Sequence, residues 1–535
     1  MGTDLAQAPL GAHWQPATSP RFNLLDEAWV PVRASNGGQR EVGLRALLAD
    51  SRNIEALSAA SALVETAVLR LVVALLCHAH QGPRDRQEWQ ALWDAPSLLD
   101  SVVDGYLTAR HGEFFLLDPD RPFAQTSAAH LLASSHANEK SLSELSHHRA
   151  SGTGKRLFDK SRDDVPLRCT AAEAARMLIA YQCWAPGGGT GYGSSRLAGG
   201  VLVCVPIGRD LHETVLLNTT AYDPSAGEPI AVKNGDAPSW ERDRSEDTIA
   251  ADRPVDGLVD LLTRRPRAAS LLTDAEGRLG RVLIAAGERI PGDSTVRDPN
   301  IVYRIAKGVP RAQKLPFGAP AWTELPALLA ARSADSEFHC TLVRWAGLTR
   351  PEVPQISWRA LALDSSQALT RSVADAEFHL PVRIADEPAR RLAVDELVTS
   401  AQRASQLLGK YFADLGRRGR RGDRQRDAKA HAQARNAARA RADRAFWSGA
   451  SAAFASAMAT VCADSISESD AISANAAWAA AVRACVNAAV RSAEALTGGS
   501  VVALMDAGEA RAALDSRLAQ AIGTPVAAIH SQEGQ

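Results

Sequence analysis

The chain has 535 residues, 46% hydrophobic and 23% charged, the proportions of a globular protein that can bury a large core without metals or disulfides. Its formal net charge of −1 excludes a global polycation, so any nucleic-acid affinity must come from local clusters. The cysteines stand apart with no CxxC pair, as free thiols do in a reducing cytosol. Residues 1–21 lack the basic start and apolar run of a signal peptide and read as a disordered extension. No segment approaches the ~20 apolar residues of a membrane span, so a cytoplasmic protein without membrane contact is expected.

In chain order, Phe22–Leu25 and Trp29–Val32 read as strands, with Asn36-Gly37-Gly38 as a hairpin turn. Residues 56–80 carry Leu63, Ala67, Leu71 and Leu75 beside Val64, Val68, Val72 and Leu76, which predicts a buried helix. Residues 114–126 read as a strand and a proline-fixed turn. The polar stretch 127–165 reads as loop with no core to pack. A helix is predicted at 170–183, then a glycine-dense segment from Pro186 to Gly200, then strands at Val201–Ile207 and Thr214–Leu217. Residues 222–255 read as loop, and 256–348 alternate short strands and helices. After about 385 the composition turns Ala-, Arg- and Leu-rich, and helices fit 392–416, 425–462, 470–496 and 506–521. The fold class expected is α+β: a disordered extension over 1–21, a large mixed α/β domain over 22–384, and an all-α four-helix bundle over 385–535.

Catalytic motifs fail on inspection. Ser151-Gly152-Thr153-Gly154-Lys155-Arg156 lacks the phosphate-loop pattern, because Arg149 and Arg156 stand where Gly and Ser or Thr are needed. Gly187–Gly193 does not complete GxGxxG, since Ser194 takes the third glycine position, and it follows a helix rather than a strand. The histidines and cysteines lack zinc spacing. No enzymatic activity, cofactor or metal is expected.

Three segments point elsewhere. Gly187-Gly188-Gly189-Thr190-Gly191 can bring backbone N–H groups close to a ligand, or can be a plain surface loop. In Arg350-Pro351-Glu352-Val353-Pro354-Gln355-Ile356 two prolines stiffen the approach to Gln355, which suits a wedge or an ordinary strand connection. Between Arg417 and Arg444 lie Arg418, Arg420, Arg421, Arg424, Arg426, Lys429, Arg435, Arg439 and Arg441 against Asp423, Asp427 and Asp443. Arg435 and Arg439 stand one helical turn apart, a stripe that can meet phosphates; the alternative is a solvated helix face.

Taken together, several segments resemble one family. Phe22-Asn23-Leu24-Leu25-Asp26-Glu27-Ala28-Trp29-Val30-Pro31-Val32-Arg33 is similar to the "NLL…WIPV" opening of the CasA family, the large subunits of type I-E CRISPR Cascade surveillance complexes. Pro122–Thr126, the Ala185-Pro186 glycine loop ending Arg196-Leu197-Ala198-Gly199-Gly200, Asp210–Asn218, Pro238-Ser239-Trp240 and Ala321-Trp322-Thr323 follow in the family's order. The resemblance spans 22–535, by architecture more than by motif at the C-terminal end.

The resemblance implies a subunit that recognises the protospacer-adjacent motif of double-stranded DNA from the minor groove and helps unwind the duplex into an R-loop. It also implies that the subunit holds the displaced strand and recruits a helicase-nuclease. By position it implies Gly187–Gly191 against the groove, Gln355 with Pro354 and Ile356 as the wedge, and a motif-reading base at Arg289. Lys155, Phe158 and Lys160 would touch the guide-RNA 5′ end and other Cascade subunits. Some members carry zinc-binding cysteines; here Cys169 is alone and Leu271–Leu283 has none, so no metal is implied. Two alternatives stay open: a scaffold that does not bind DNA, and a nucleotide-binding enzyme using the glycine loop.

Overall fold

A computed structural model describes residues 14–134, 136–149, 167–187, 192–193, 195–221, 235–242, 252–291, 297–316, 318–330, 337–350, 355–366, 369–381, 387–418, 428–463, 468–494 and 501–522. The chain separates into two compact units. One comprises Met1–Leu315, His339–Glu352 and Ile356–Glu377; the other comprises Pro316–Phe338, Val353–Gln355 and Phe378–Gln535. The architecture is mixed α and β.

The first unit is organised on the Ala62–His80 helix, which is buried along most of its length from Ala62 to Cys77. The Ser61 hydroxyl accepts the Leu63 N–H at 3.1 Å, and Gln81 ends the helix in the left-handed conformation. The helix packs on Ala171–Trp184, which a reciprocal Thr170–Glu173 capping box starts. The Trp184 indole N–H donates to Leu63 O at 3.0 Å, tying the end of one helix to the start of the other.

Small antiparallel sheets surround this pair. Val30–Ala34 lies between Gln39–Val42 and Ile54–Leu57, and Leu279–Ala286 lies between Asn138–Ser141 and Arg267–Thr273. Gln355–Ser366 lies between Leu369–Pro381 and Val203–Ile207, with Arg359 opposite Val205. Arg359 binds Asp375 through both carboxylate oxygens at 2.7 Å and also bonds Glu65 in the first turn of the Ala62–His80 helix.

Several expectations are corrected. The polar stretch after 127 has core of its own: Ser127 caps an Ala128–Ala133 helix, Asn138–Ser141 pairs with Leu279–Ala286, and Leu131, Leu142 and Leu145 are buried. The leucines lie in the helix and in a 3-10 turn at Leu142–Leu145; the strand is polar and buries only Ser141, because a strand on an existing sheet needs no apolar run of its own. Thr214–Leu217 is helical, within Leu211–Leu217, because the Asp210 carboxylate accepts the Glu213 N–H at 2.8 Å and starts a helix that overrides its β-branched residues. Residues Ile54–Leu57 form a strand ahead of the buried helix, and Leu24-Leu25 sit in a turn. Among the described residues, two helical stretches, Ala62–His80 and Gln433–Cys462, are long and apolar enough to cross a membrane by composition alone. The first has 78% of its apolar window buried in the protein, as a core helix does, and the second 28%.

Among the described residues the second unit has four long helices, Pro388–Arg418, Ala428–Cys462, Glu468–Glu494 and Val501–Ile522. Pro388–Arg418 touches the other three, and Ala428–Cys462 lies along Glu468–Glu494. Trp322, in a 3-10 turn at Ala321–Glu324, inserts among them. Its ring stacks on Phe454 at 4.2 Å and its N–H donates to Ser451 Oγ at 2.9 Å, while Trp478 donates to Ser400 Oγ at 2.7 Å.

Beneath the glycine-loop side of the first unit sits a fully buried ion pair. Arg70 grips Asp298 with two bonds of 2.6 and 2.8 Å and also reaches Asn300 Oδ1 at 2.5 Å. Burial opposes the Arg70 charge, but Asp298 outweighs it and holds the guanidinium above its ordinary value. Asp298→Ala leaves a buried charge uncompensated and is expected to cost about 3–5 kcal/mol, read as a lower urea midpoint by tryptophan fluorescence, whereas the apolar pair Arg70→Met with Asp298→Leu costs far less. Equal losses in the two variants would show that packing, not charge, dominates there.

Candidate functional site

The helix Ala171–Trp184 delivers the chain to Ala185-Pro186-Gly187, and the loop returns at Tyr192-Gly193. The Ser195 N–H donates to Ala185 O at 2.8 Å and closes the neck. Gly188, Gly189, Thr190 and Gly191 lie outside the described residues; Gly187 is a half-buried shoulder.

Arg267 holds both shoulders. Its guanidinium donates to Gly193 O at 2.6 Å, to Pro186 O, and to Pro266 O at 2.9 Å. It lies 4.8 Å from the centre of the Tyr192 ring and 6.0 Å from that of Tyr181. Arg267 is 1% exposed and, among the described residues, forms no ion pair. Carbonyl oxygens and aromatic faces solvate this cation instead. Burial pushes the Tyr181 phenol up to about 12, so that ring stays neutral. The Gln182 amide fixes the Arg267 backbone, accepting its N–H at 3.2 Å and donating to its carbonyl at 2.9 Å.

Arg289 reaches the same neck from the other strand of the hairpin, at the same open end. Arg267 opens the strand Arg267–Thr273 and pairs with Ala286, near the end of the antiparallel strand Leu279–Ala286; three residues later comes Arg289. A Cβ added to Gly193 would stand 3.1 Å from Arg289 Cγ, so the glycine lets the arginine stem pack closely against the returning chain. The Arg289 side chain is 37% exposed and pairs with the exposed Asp252 at 2.8 Å.

A network of buried charges braces this end of the hairpin. Arg253 bonds Asp260 and Glu288 at 2.6 Å each, and Arg264 bonds Asp260 at 3.0 Å while donating to Arg253 O, Pro254 O and Arg289 O. Burial would raise the Asp260 carboxyl, but hydrogen bonds and charge from Arg253, Arg264 and Arg242 outweigh it and hold it below the usual carboxylate range. A cleft of about 40 Å³ between this network and the Arg70–Asp298 pair, lined by Ser195, Arg196 and Glu288 among others, has room for a few water molecules.

The structure thus brings together Gly187, the loop neck and Arg289, which are far apart in sequence. Arg267, Gln182 and Tyr192 complete the site and were not singled out by sequence. Tyr192 carried a signal, as the aromatic residue inside the glycine-rich run. Gln355 and Ile356 open the strand Gln355–Ser366; Pro354 lies outside the described residues, as do Lys155, Phe158 and Lys160. Gln355 falls in the second unit, Gly187 and Arg289 in the first. Arg435 and Arg439 share the Ala428–Cys462 helix, Arg435 half-buried and Arg439 53% exposed on its side chain. Arg439 pairs with Asp443 at 3.5 Å and lies against Gly409, so one of the acids in this basic stretch is already engaged. Among the described residues, no group of three or more His, Cys, Asp or Glu is placed to hold a metal ion.

The model of the family described as CRISPR-associated protein Cse1 matches residues 23–489, most of the chain. The chain belongs to the Cse1 family. It is 29% identical over 320 residues to the CRISPR-associated protein CasA/Cse1 of Thermus thermophilus, a match that spans 58% of this chain and 60% of that relative's length. The crystal structure of Thermus thermophilus CasA superposes with a TM-score of 0.72 at 22% identity, over 94% of this chain and 99% of that one. A chain of a structure described as a CRISPR RNA-guided surveillance complex superposes at 0.66 with 18% identity, over 94% of this chain and 100% of that one. At these identities the structural likeness establishes the fold, and the fold is that of Cse1.

Arg267 supplies a test of how this Cse1 holds its loop. Arg267→Met keeps the volume but orphans the buried Pro186 carbonyl, at roughly 1–3 kcal/mol, and the half-buried Gly193 carbonyl at less. Limited proteolysis between residues 185 and 196 is expected to quicken about tenfold or more, the order set by a loss of ~1.4 kcal/mol. Arg267→Lys does not restore it, because an ammonium lacks the planar fork that meets both shoulders. Unchanged cleavage in the methionine variant would show that the neck is held by other contacts.

Proposed function

We propose that this chain is the large subunit of a type I-E CRISPR RNA-guided surveillance complex and that it reads the protospacer-adjacent motif of duplex DNA from the minor groove. The observation that carries this reading is the meeting of Arg289 with the neck of the glycine loop. The half-buried Arg289 side chain packs against Gly193, where the loop returns, a position that glycine leaves clear of a side chain. The shallow edge of a duplex offers acceptors on every base pair and little room, so a bare backbone and one extended cation suit it. Membership of the Cse1 family supports the same reading, as does the fold shared with a chain of a CRISPR RNA-guided surveillance complex.

In this reading Gly187–Gly191 and Arg289 bind the motif. Pro354, Gln355 and Ile356 form a wedge that parts the first base steps, at a few kcal/mol per step recovered through backbone contacts and guide pairing. The subunit acts by binding rather than catalysis. Residues 22–384 serve as the motif-reading domain, onto which Gln15 is already bridged through Thr273. Residues 385–535 form a four-helix bundle whose Arg435 and Arg439 meet the DNA backbone. Lys155, Phe158 and Lys160 contact the guide-RNA 5′ end and neighbouring subunits. The displaced strand and a helicase-nuclease complete the partners, in the cytoplasm.

The wedge is tested with the assembled complex and a duplex carrying a fluorescent base next to the motif. Gln355→Ala is expected to lower the opening equilibrium about tenfold, the order of one side-chain hydrogen bond, with non-specific binding nearly unchanged. Full opening in the variant would remove the wedge. Separately, Arg435→Ala with Arg439→Ala is expected to weaken binding to all duplexes and to reduce the log–log salt slope by roughly one for each phosphate no longer neutralised. An unchanged slope would take that helix out of the DNA path.

A further inference from the structure

A second basic surface stands on the same framework as the glycine loop. Tyr303–Ala306 and Val309–Ala312 pair as an antiparallel hairpin, with Ala306 opposite Val309. Its two-residue turn, Lys307-Gly308, has φ of 54° and 76°. Both values are left-handed, the geometry that matches the twist of tightly joined strands. The tip is therefore stiff for its size.

The charge on this hairpin is of one sign. From Pro299 to Thr323 the sequence contains neither Asp nor Glu. Arg304, Lys307, Arg311 and Lys314 are all exposed, and Arg304 faces Arg311 directly across the ladder. Like charges directly opposite each other weaken a strand pair. Lys307, Arg311 and Lys314 form no ion pair with any described residue. Val309, beside the turn, is 55% exposed. Val309–Ala312 is the outer strand of a three-stranded sheet, and a hairpin edge that concentrates positive charge around an exposed apolar tip gains nothing from it in the folded chain.

The stem fixes where this surface points its charge. Gly200 O accepts the Leu315 N–H at 2.9 Å, Gln313 O accepts the Leu202 N–H at 2.8 Å, and Val203 bridges Ile301. Residues 200–203 are the stretch by which the chain leaves the glycine loop. The hairpin is thus hydrogen-bonded to the segment leaving that loop.

We propose that the hairpin Tyr303–Ala312, with Lys314, is a polyanion-contacting arm that lies along the phosphate backbone of duplex DNA flanking the stretch met by the glycine loop. Four-residue strands reach about 13 Å, enough to set Lys307 and Lys314 on different phosphates. The contacts are to phosphate, so they add affinity and register without reading sequence. This rests on the DNA-binding reading above.

The test uses the full chain, a short fluorescent duplex with or without the motif, and the triple variant Lys307→Gln, Arg311→Gln and Lys314→Gln. These side chains are exposed, so the thermal melt should match the parent. The log–log salt slope is expected to fall by roughly two to three, at about 0.9 per phosphate, equally for both duplexes. A slope equal to the parent's, with the parent still binding, overturns the arm and leaves the DNA reading intact. Loss of affinity for single-stranded RNA alone overturns the assignment to duplex DNA. A parent with no duplex affinity at any salt removes the DNA reading and the arm with it.

Discussion

The glycine loop depends on a cation that never reaches solvent. A loop that enters and leaves through adjacent residues presents carbonyls on both shoulders, and two carbonyls cannot satisfy each other. Arg267 stands between Pro186 and Gly193 with donors for both, and its flat face meets Tyr192. Because the strand bearing Arg267 runs antiparallel to the one that ends before Arg289, the clamp and the exposed cation are delivered by one hairpin. Gln182 joins that hairpin to the helix entering the loop. Loop position, clamp and exposed charge therefore form one rigid arrangement rather than three separate features.

The near-zero net charge conceals a division of labour among cations. Arg70, Arg253 and Arg264 are held inside by Asp298, Asp260 and Glu288, and Arg267 by carbonyls and rings. Such groups are costly to strip of their partners, and they fix geometry more than they add stability. The exposed cations are of another kind. Arg289 and Arg439 keep single carboxylate neighbours, whereas the Tyr303–Ala312 hairpin has none within its own stretch of sequence. A global charge count averages these populations away.

What the sequence made legible follows from how each signal arises. The buried helix at Ala62–His80 was plain, because an apolar surface wide enough to be enclosed leaves a dense pattern. The long C-terminal helices were plain in composition, with ends displaced by a few residues. Thr214–Leu217 was not, since a single capping carboxylate at Asp210 decided it against local preference. The Asn138–Ser141 strand was not, since a polar four-residue segment becomes a strand only where a sheet edge awaits it. At the site, Gly187 and Arg289 could be named, but Arg267 could not: a buried arginine looks like any other in a run of arginines until the fold shows which one is enclosed.

Trp322 bears on the order in which the protein can be made. It precedes in the chain the long helices of its own unit described above, yet its ring is enclosed by Phe454 and Trp478. During synthesis from the N-terminus this tryptophan emerges long before the surfaces that will cover it. The chain then returns to the first unit for His339–Glu352 and Ile356–Glu377 before the helices begin. Neither unit can therefore close as an uninterrupted stretch of nascent chain. The first must wait for its last strands while carrying the unfinished Trp322 segment of the other, an interval in which a chaperone has an apolar ring to hold.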